Sequence, residues 1–131
     1  MRLPPYAELL RAELEHAEDG TPVMAMPFHD GVLGRPGFLQ GGAISGLLEV
    51  AAIAALRHAL AGEGATLENS RIKPINVTVD FMRGGRDRVT RAAGTITRLG
   101  NRVANVEAFA WQDDRARPIA AARMNYLIER E

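Results

Sequence analysis

The chain contains no cysteine. That excludes a disulfide framework, a thiolate metal site and a cysteine nucleophile. Lysine is nearly absent: Lys73 is the only one, and every other basic side chain is arginine. Arginine suits planar, bidentate contacts with phosphates and carboxylates, although a compositional bias leaves the same count. Neither charge is in excess, since 16 Lys and Arg balance 16 Asp and Glu. A nucleic acid or an anionic membrane would need a basic footprint, so neither is an expected partner. No P-loop, dinucleotide-binding glycine motif or catalytic-triad pattern occurs. His16, His29 and His58 lack the spacing of metal ligands, and no metal is expected. The opening MRLPPYAELL lacks a basic stretch followed by an apolar run, which predicts no signal peptide and a cytoplasmic location.

What is present is 131 residues with 47% hydrophobic and 24% charged content, enough for one domain with its own core, spanning 1–131. The centre of organisation is residues 34–62, GRPGFLQGGAISGLLEVAAIAALRHALAG. A Gly/Pro loop runs into a helix expected over about 42–61. Its apolar residues go round all faces, which marks a buried helix. Between 43 and 56 the only charge is Glu49. That run is shorter than the roughly 20 residues of a membrane span. A lone carboxylate in a buried helix is costly unless paired, hydrogen-bonded or neutralised, so Glu49 is the first functional candidate. A structural carboxylate, capped by backbone or paired with arginine, is the competing reading.

Before this helix, Pro4 and Pro5 open a second helix predicted over about 4–19, ended by Gly20. Residues 22–28 form a short apolar strand, and His29, Asp30 and Gly31 a turn. Beyond the central helix a polar loop, GEGATLENS, leads to four strands. Ile75, Val77, Val79 and Phe81 alternate with Asn76, Thr78 and Asp80, a period of two. Further strands are expected over 88–99, 103–112 and 118–128, joined by turns at 83–86, 99–101 and 113–117. Successive hairpins imply an antiparallel sheet. A helix apolar on every side needs that sheet curved around it, giving an α+β fold.

A sheet wrapped on a long central helix is the hotdog fold, and GRPGFLQGGAISGLLE resembles the signature loop and helix of hotdog thioesterases. The most similar subgroup is the phenylacetic-acid-degradation type, with a pattern near Asn-x-x-Gly-x-x-His-Gly-Gly and an acid two helical turns on. Gly37, Gly41 and Gly42 match its glycines and Glu49 its acid. Gln40 stands where the subgroup has His, and Gly34 where it has Asn. The resemblance implies an acyl-CoA thioesterase acting on aryl or medium-chain acyl groups, with no cofactor beyond the CoA of its substrate. It also implies a homodimer, or a dimer of dimers, whose sheets join side by side. Asn76 and Thr78 would then face the partner's Glu49, and CoA would lie over Arg83, Arg98, Asn101 and Arg102. Phe38, Leu39, Leu48, Ile53 and Met82 are candidates for the acyl pocket.

Thioester hydrolysis needs a polarised carbonyl, a nucleophile and an exit for the thiolate. Gly41 and Gly42 open a helix whose first N–H groups lack intrahelical partners and carry positive dipole character. They suit an oxyanion hole; tight loop packing is the alternative. Glu49 would be a general base on water or a nucleophile forming a mixed anhydride. Gln40 could hold the leaving sulfur, the water or the loop. His29 lies just upstream and could reach the site, whereas His58, near the helix end, reads as structural. Two other functions remain: an acyl-CoA-binding protein without turnover, and an enoyl-CoA hydratase or dehydratase, which Gln40 in place of His disfavours.

Overall fold

Residues 1–64 and 70–129 are described by the computed structural model. Most of the GEGATLENS loop, residues 65–69, lies outside them. The elements are α1 (Tyr6–Leu9), β1 (Glu13–His16), β2 (Pro22–Met26), a 3-10 turn (Asp30–Val32), α2 (Gly41–Glu63), β3 (Arg71–Phe81), β4 (Thr90–Leu99), β5 (Val103–Trp111) and β6 (Ala120–Glu129). The strands form one antiparallel sheet in the order β1-β2-β4-β5-β6-β3.

Helix α2 is the spine the hydropathy pattern predicts. Leu47, Leu48, Ala52, Ala54, Leu56 and Leu60 are fully buried. By length and composition α2 could cross a membrane, but 67% of its most apolar window is buried inside the fold, so the sheet accounts for its hydropathy. The sheet's inner face is built of small residues: Ala92, Ala104, Ala108, Ala110 and Ala120 are all fully buried. Small side chains let the helix lie close. The approach is tightest at Gly94, where a Cβ would sit 2.9 Å from Ala55 Cβ and 3.2 Å from the Ala51 carbonyl oxygen.

Two expectations are corrected. The N-terminal helix predicted over 4–19 is a single turn, Tyr6–Leu9. It stops where Arg11 enters the left-handed region at φ 56°. The chain then forms β1, pairing Glu13 with Ala25 and Glu15 with Val23 of β2. A free sheet edge supplies more backbone hydrogen bonds than helix propensity can offset in so short a segment.

The second correction concerns the four C-terminal strands, which are not successive hairpins. β3 pairs with β6 along the far edge, from Arg71 opposite Glu129 to Phe81 opposite Ala120. The Gly84-Gly85 segment is therefore no hairpin turn. It carries the chain past the entrance of α2, where Leu39 N–H donates to the Gly85 carbonyl at 2.9 Å. A Cβ at position 84 would lie 2.9 Å from Phe38 Cε1, and one at 85 would lie 2.6 Å from Leu39 Cδ1. These glycines serve close approach to the loop. β3 is consequently an 11-residue edge strand with an irregularity in register between Pro74 and Asn76.

Candidate active site

The N-terminus of α2 is capped from within. Gln40 has extended backbone, and its side-chain Oε1 accepts the Gly41 N–H at 2.7 Å. The N–H groups of Ala43 and Ile44 both donate to the Gln40 carbonyl. The Gly42 N–H makes no hydrogen bond among the described residues, and Gly42 is exposed. It is the open donor at a helix end that carries partial positive charge. The Phe81 ring closes one side, with its Cζ 3.4 Å from where a Gly41 Cβ would be.

Glu49 follows Gly42 by seven residues, two helical turns, which puts it on the same face about 10 Å along the axis. It is half-buried. It forms no hydrogen bond or ion pair with any described residue, so the reading of a capped or arginine-paired structural carboxylate is not supported. Glu49 opens onto a pocket of about 300 Å³ lined by Pro74, Ile75, Asn76, Val77, Met124 and Tyr126. Apart from Asn76, whose side chain turns to the other face of the sheet, the lining is apolar except for the acid and the Tyr126 phenol. Tyr126 is fully buried and donates its O–H to Met124 Sδ at 3.1 Å. Burial, and then the charge of Glu49, push that phenol well above its ordinary range, so it stays neutral.

The remaining predicted residues fall into separate places. Gly34 packs against the loop it belongs to; a Cβ there would lie 3.1 Å from the Leu39 carbonyl oxygen and 3.2 Å from Gln40 Cα. His29 has both ring nitrogens engaged, Nδ1 accepting from Gly31 N–H at 3.2 Å and Nε2 lying 2.9 Å from the Leu10 carbonyl. The Nδ1 contact requires the proton on Nε2, so His29 pins the N-terminal segment, and its hydrogen bonds among the described residues do not include Glu49. The Asn76 side chain lies on the sheet face away from α2, where its Oδ1 accepts from Asn125 Nδ2 at 2.8 Å. Asn125 accepts in turn from Asn105. Thr78 shares that face, lining an outer cleft with Thr97, Glu107 and Arg123.

The four residues expected under CoA are not brought together within one chain. Arg83 lies beyond the Phe81 end of β3, its Nε donating to the Pro118 carbonyl at 3.2 Å. Arg98, Asn101 and Arg102 lie at the β4–β5 turn, the opposite end of the sheet. β5 runs the whole way between, nine residues or roughly 30 Å.

Among the acyl-pocket candidates, Leu39 and Leu48 are buried in the core. Ile53 lies against Leu3, Pro4 and Pro5, and Met82 is exposed. Phe38 is clasped between guanidinium groups, Arg35 at 4.0 Å and Arg86 at 4.4 Å from its ring centre. None of these five lines the cavity beside Glu49, whose walls come from β3 and β6. Its only trace in the sequence is the alternation that turns Met124, Tyr126 and Ile128 to one face.

The thioesterase superfamily model matches this chain over residues 36–119. No curated protein matches it in sequence. Among solved structures, a protein of Chromobacterium violaceum is 34% identical, with a TM-score of 0.72 over 94% of this chain and 82% of that one. A Bacillus halodurans protein solved with CoA is 18% identical, with a TM-score of 0.80 over 98% and 80%. A phenylacetic acid degradation-related protein of Ralstonia eutropha is 19% identical, with a TM-score of 0.76 over 97% and 92%. With its six-stranded antiparallel sheet and long central helix, this chain has the hotdog fold and belongs to the thioesterase superfamily.

Proposed function

We propose that the protein hydrolyses an acyl-CoA thioester carrying an aryl or medium-chain acyl group, with Glu49 as general base. The observation that carries this is Glu49 itself: a half-buried carboxylate, unpaired among the described residues, beside an apolar pocket and two turns beyond the open Gly42 N–H. The thioester carbonyl binds at Gly42 and Gly41, whose N–H groups stabilise the oxyanion. Such a donor is worth roughly 10²–10³ in turnover. Glu49 takes a proton from water as the water oxygen attacks the carbonyl carbon. The intermediate collapses by breaking the carbon–sulfur bond, and the thiolate recovers the proton from Glu49.

The working unit in this reading is a cytoplasmic homodimer, able to pair again into a tetramer. β3 is a long edge, blunted only at its start by Lys73 and Pro74, with Ile75 54% and Val77 51% exposed, and such an edge invites a further strand. Antiparallel pairing of two β3 strands sets the 98–102 turn of the second copy at the Arg83 end of the first. The split set of Arg83, Arg98, Asn101 and Arg102 then converges across the dimer, where guanidinium groups suit the CoA phosphates.

A second reading, an acyl-CoA-binding protein without turnover, is favoured by one contact: Gln40 occupies the Gly41 N–H. Thiol release across an acyl-CoA panel separates the two. Hydrolysis that collapses in Glu49→Gln supports the enzyme. Saturable binding with no thiol release supports the binder.

A further inference from the structure

Around Glu49 the loop offers few polar side chains. Gly34 has none, and the Gln40 amide oxygen is engaged by Gly41. A hydroxyl arrives instead from the N-terminal segment. The Tyr6 ring lies directly on Gly46 of α2: a Cβ there would be 2.6 Å from Tyr6 Cε2 and 2.9 Å from its Oη. Only glycine permits this contact. Glycine inside a helix costs about 1 kcal/mol relative to alanine, so the position gives up helix stability to seat the ring. The seat is firm. Ala7 and Leu10 are buried beside it, and His29 holds the Leu10 carbonyl.

Gly46 precedes Glu49 by three residues and follows Gly42 by four, so all three share one helix face. Side chains three apart on a helix have Cβ positions about 5–6 Å from each other. The Tyr6 hydroxyl therefore lies within about 9 Å of Glu49 Cβ, a gap that the acid side chain and one water fill. Tyr6 is 45% exposed, and its hydroxyl has no hydrogen-bond partner among the described residues.

We propose that Tyr6 is a substrate-site residue whose hydroxyl oxygen accepts one hydrogen of the attacking water while Glu49 takes the other. An attacking water has two O–H groups, and a single base orients only one. With both held, its lone pair is directed at the carbonyl carbon bound by Gly42. The phenol keeps its own proton, and the atom balance is that of the hydrolysis above. This rests on the thioesterase reading. Ser45, four residues before Glu49, is the other hydroxyl on this face, but it is short and fixed to the helix surface.

The test is steady-state hydrolysis of the best acyl-CoA from the panel. Tyr6→Phe keeps the ring on Gly46 and removes only the hydroxyl, so kcat should fall about tenfold, as for one hydrogen bond, with KM and melting temperature unchanged. Gly46→Ala should give a similar fall by displacing the ring. Ser45→Ala should stay near wild type. A Tyr6→Phe variant with wild-type kcat overturns the proposal, as does a loss confined to Ser45→Ala. If Glu49→Gln is dead while Tyr6→Phe is unaffected, the thioesterase reading survives and the Tyr6 assignment does not. A wild-type protein that turns over no acyl-CoA overturns both.

Discussion

Gln40 Oε1 accepts the N–H of Gly41 at 2.7 Å, so the first donor of α2 is satisfied before any ligand arrives. A substrate carbonyl binding there has to displace the amide. Gln40→Ala should therefore lower KM for acyl-CoA two- to tenfold, the range of one competing hydrogen bond, with kcat little changed. The same variant removes a helix cap and should lose about 1 kcal/mol of stability. Steady-state kinetics and urea unfolding check the two halves separately. An unchanged KM would mean that the carbonyl binds only at Gly42.

A surface pair ties the N-terminal strand to the sheet. Arg91 Nε lies 2.8 Å from Glu15 Oε1, and the hydrogen bond from Arg91 holds the Glu15 carboxyl below its ordinary value of 4.5. Because the folded-state value is depressed, the contribution is present above pH 4.5 and is lost as pH falls through the folded value. Both side chains are at least 40% exposed, so solvent screening limits the pair to a few tenths of a kcal/mol. Arg91→Ala should be less stable than wild type by that amount at pH 7, with a smaller difference at pH 3. Urea midpoints at both pH values and at high salt, which should erase the difference at pH 7, are the measurement.

What the sequence reveals here is mostly what is local. The apolar run around Glu49 has no polar face, so burial of α2 and the oddity of its acid are both plain. The alternation in β3 marks two faces, but alternation says nothing about which strand lies alongside. Pairing with β6 is a long-range choice, and Gly84 and Gly85 let the chain leaving β3 pass close to Phe38 and Leu39. The segment before Gly20 is rich in helix formers, yet the edge of β2 captures it as β1. The acyl-pocket candidates were apolar residues close to the loop in sequence. The cavity beside Glu49 is walled instead by Ile75, Val77, Met124 and Tyr126, which meet Glu49 only because the sheet folds over α2.

Gly94 offers a direct check on the packing of helix against sheet. Its missing Cβ would meet Ala55 Cβ at 2.9 Å and the Ala51 carbonyl oxygen at 3.2 Å, and a carbonyl within a helix cannot swing aside. Gly94→Val should destabilise the fold by about 1–3 kcal/mol through overpacking. A lower urea midpoint with unchanged slope is the expected signature. Gly62, whose Cβ would meet nothing within 4 Å, is the control, and Gly62→Ala should be neutral or slightly stabilising.

The edge of β3 carries the last prediction. Lys73 and Pro74 blunt only its first residues, leaving Ile75 and Val77 exposed beside the Glu49 pocket. A charge on that stretch would be desolvated by any strand laid against it, which is how natural edges prevent pairing. By light scattering wild type should therefore be a dimer, and Val77→Lys a monomer at the same concentration. The arginines proposed for the CoA phosphates lie at opposite ends of one chain and, in the proposed dimer, converge only across two, so the monomer should also bind CoA weakly. Its KM for acyl-CoA should rise well above its KM for the same acyl group on N-acetylcysteamine, which has no phosphates. A monomer that keeps wild-type preference for the CoA thioester would place the whole nucleotide site within a single chain. Arg83, with Arg86, Arg88 and Arg117 around the cleft at the Phe81 end, would then be the group to mutate next.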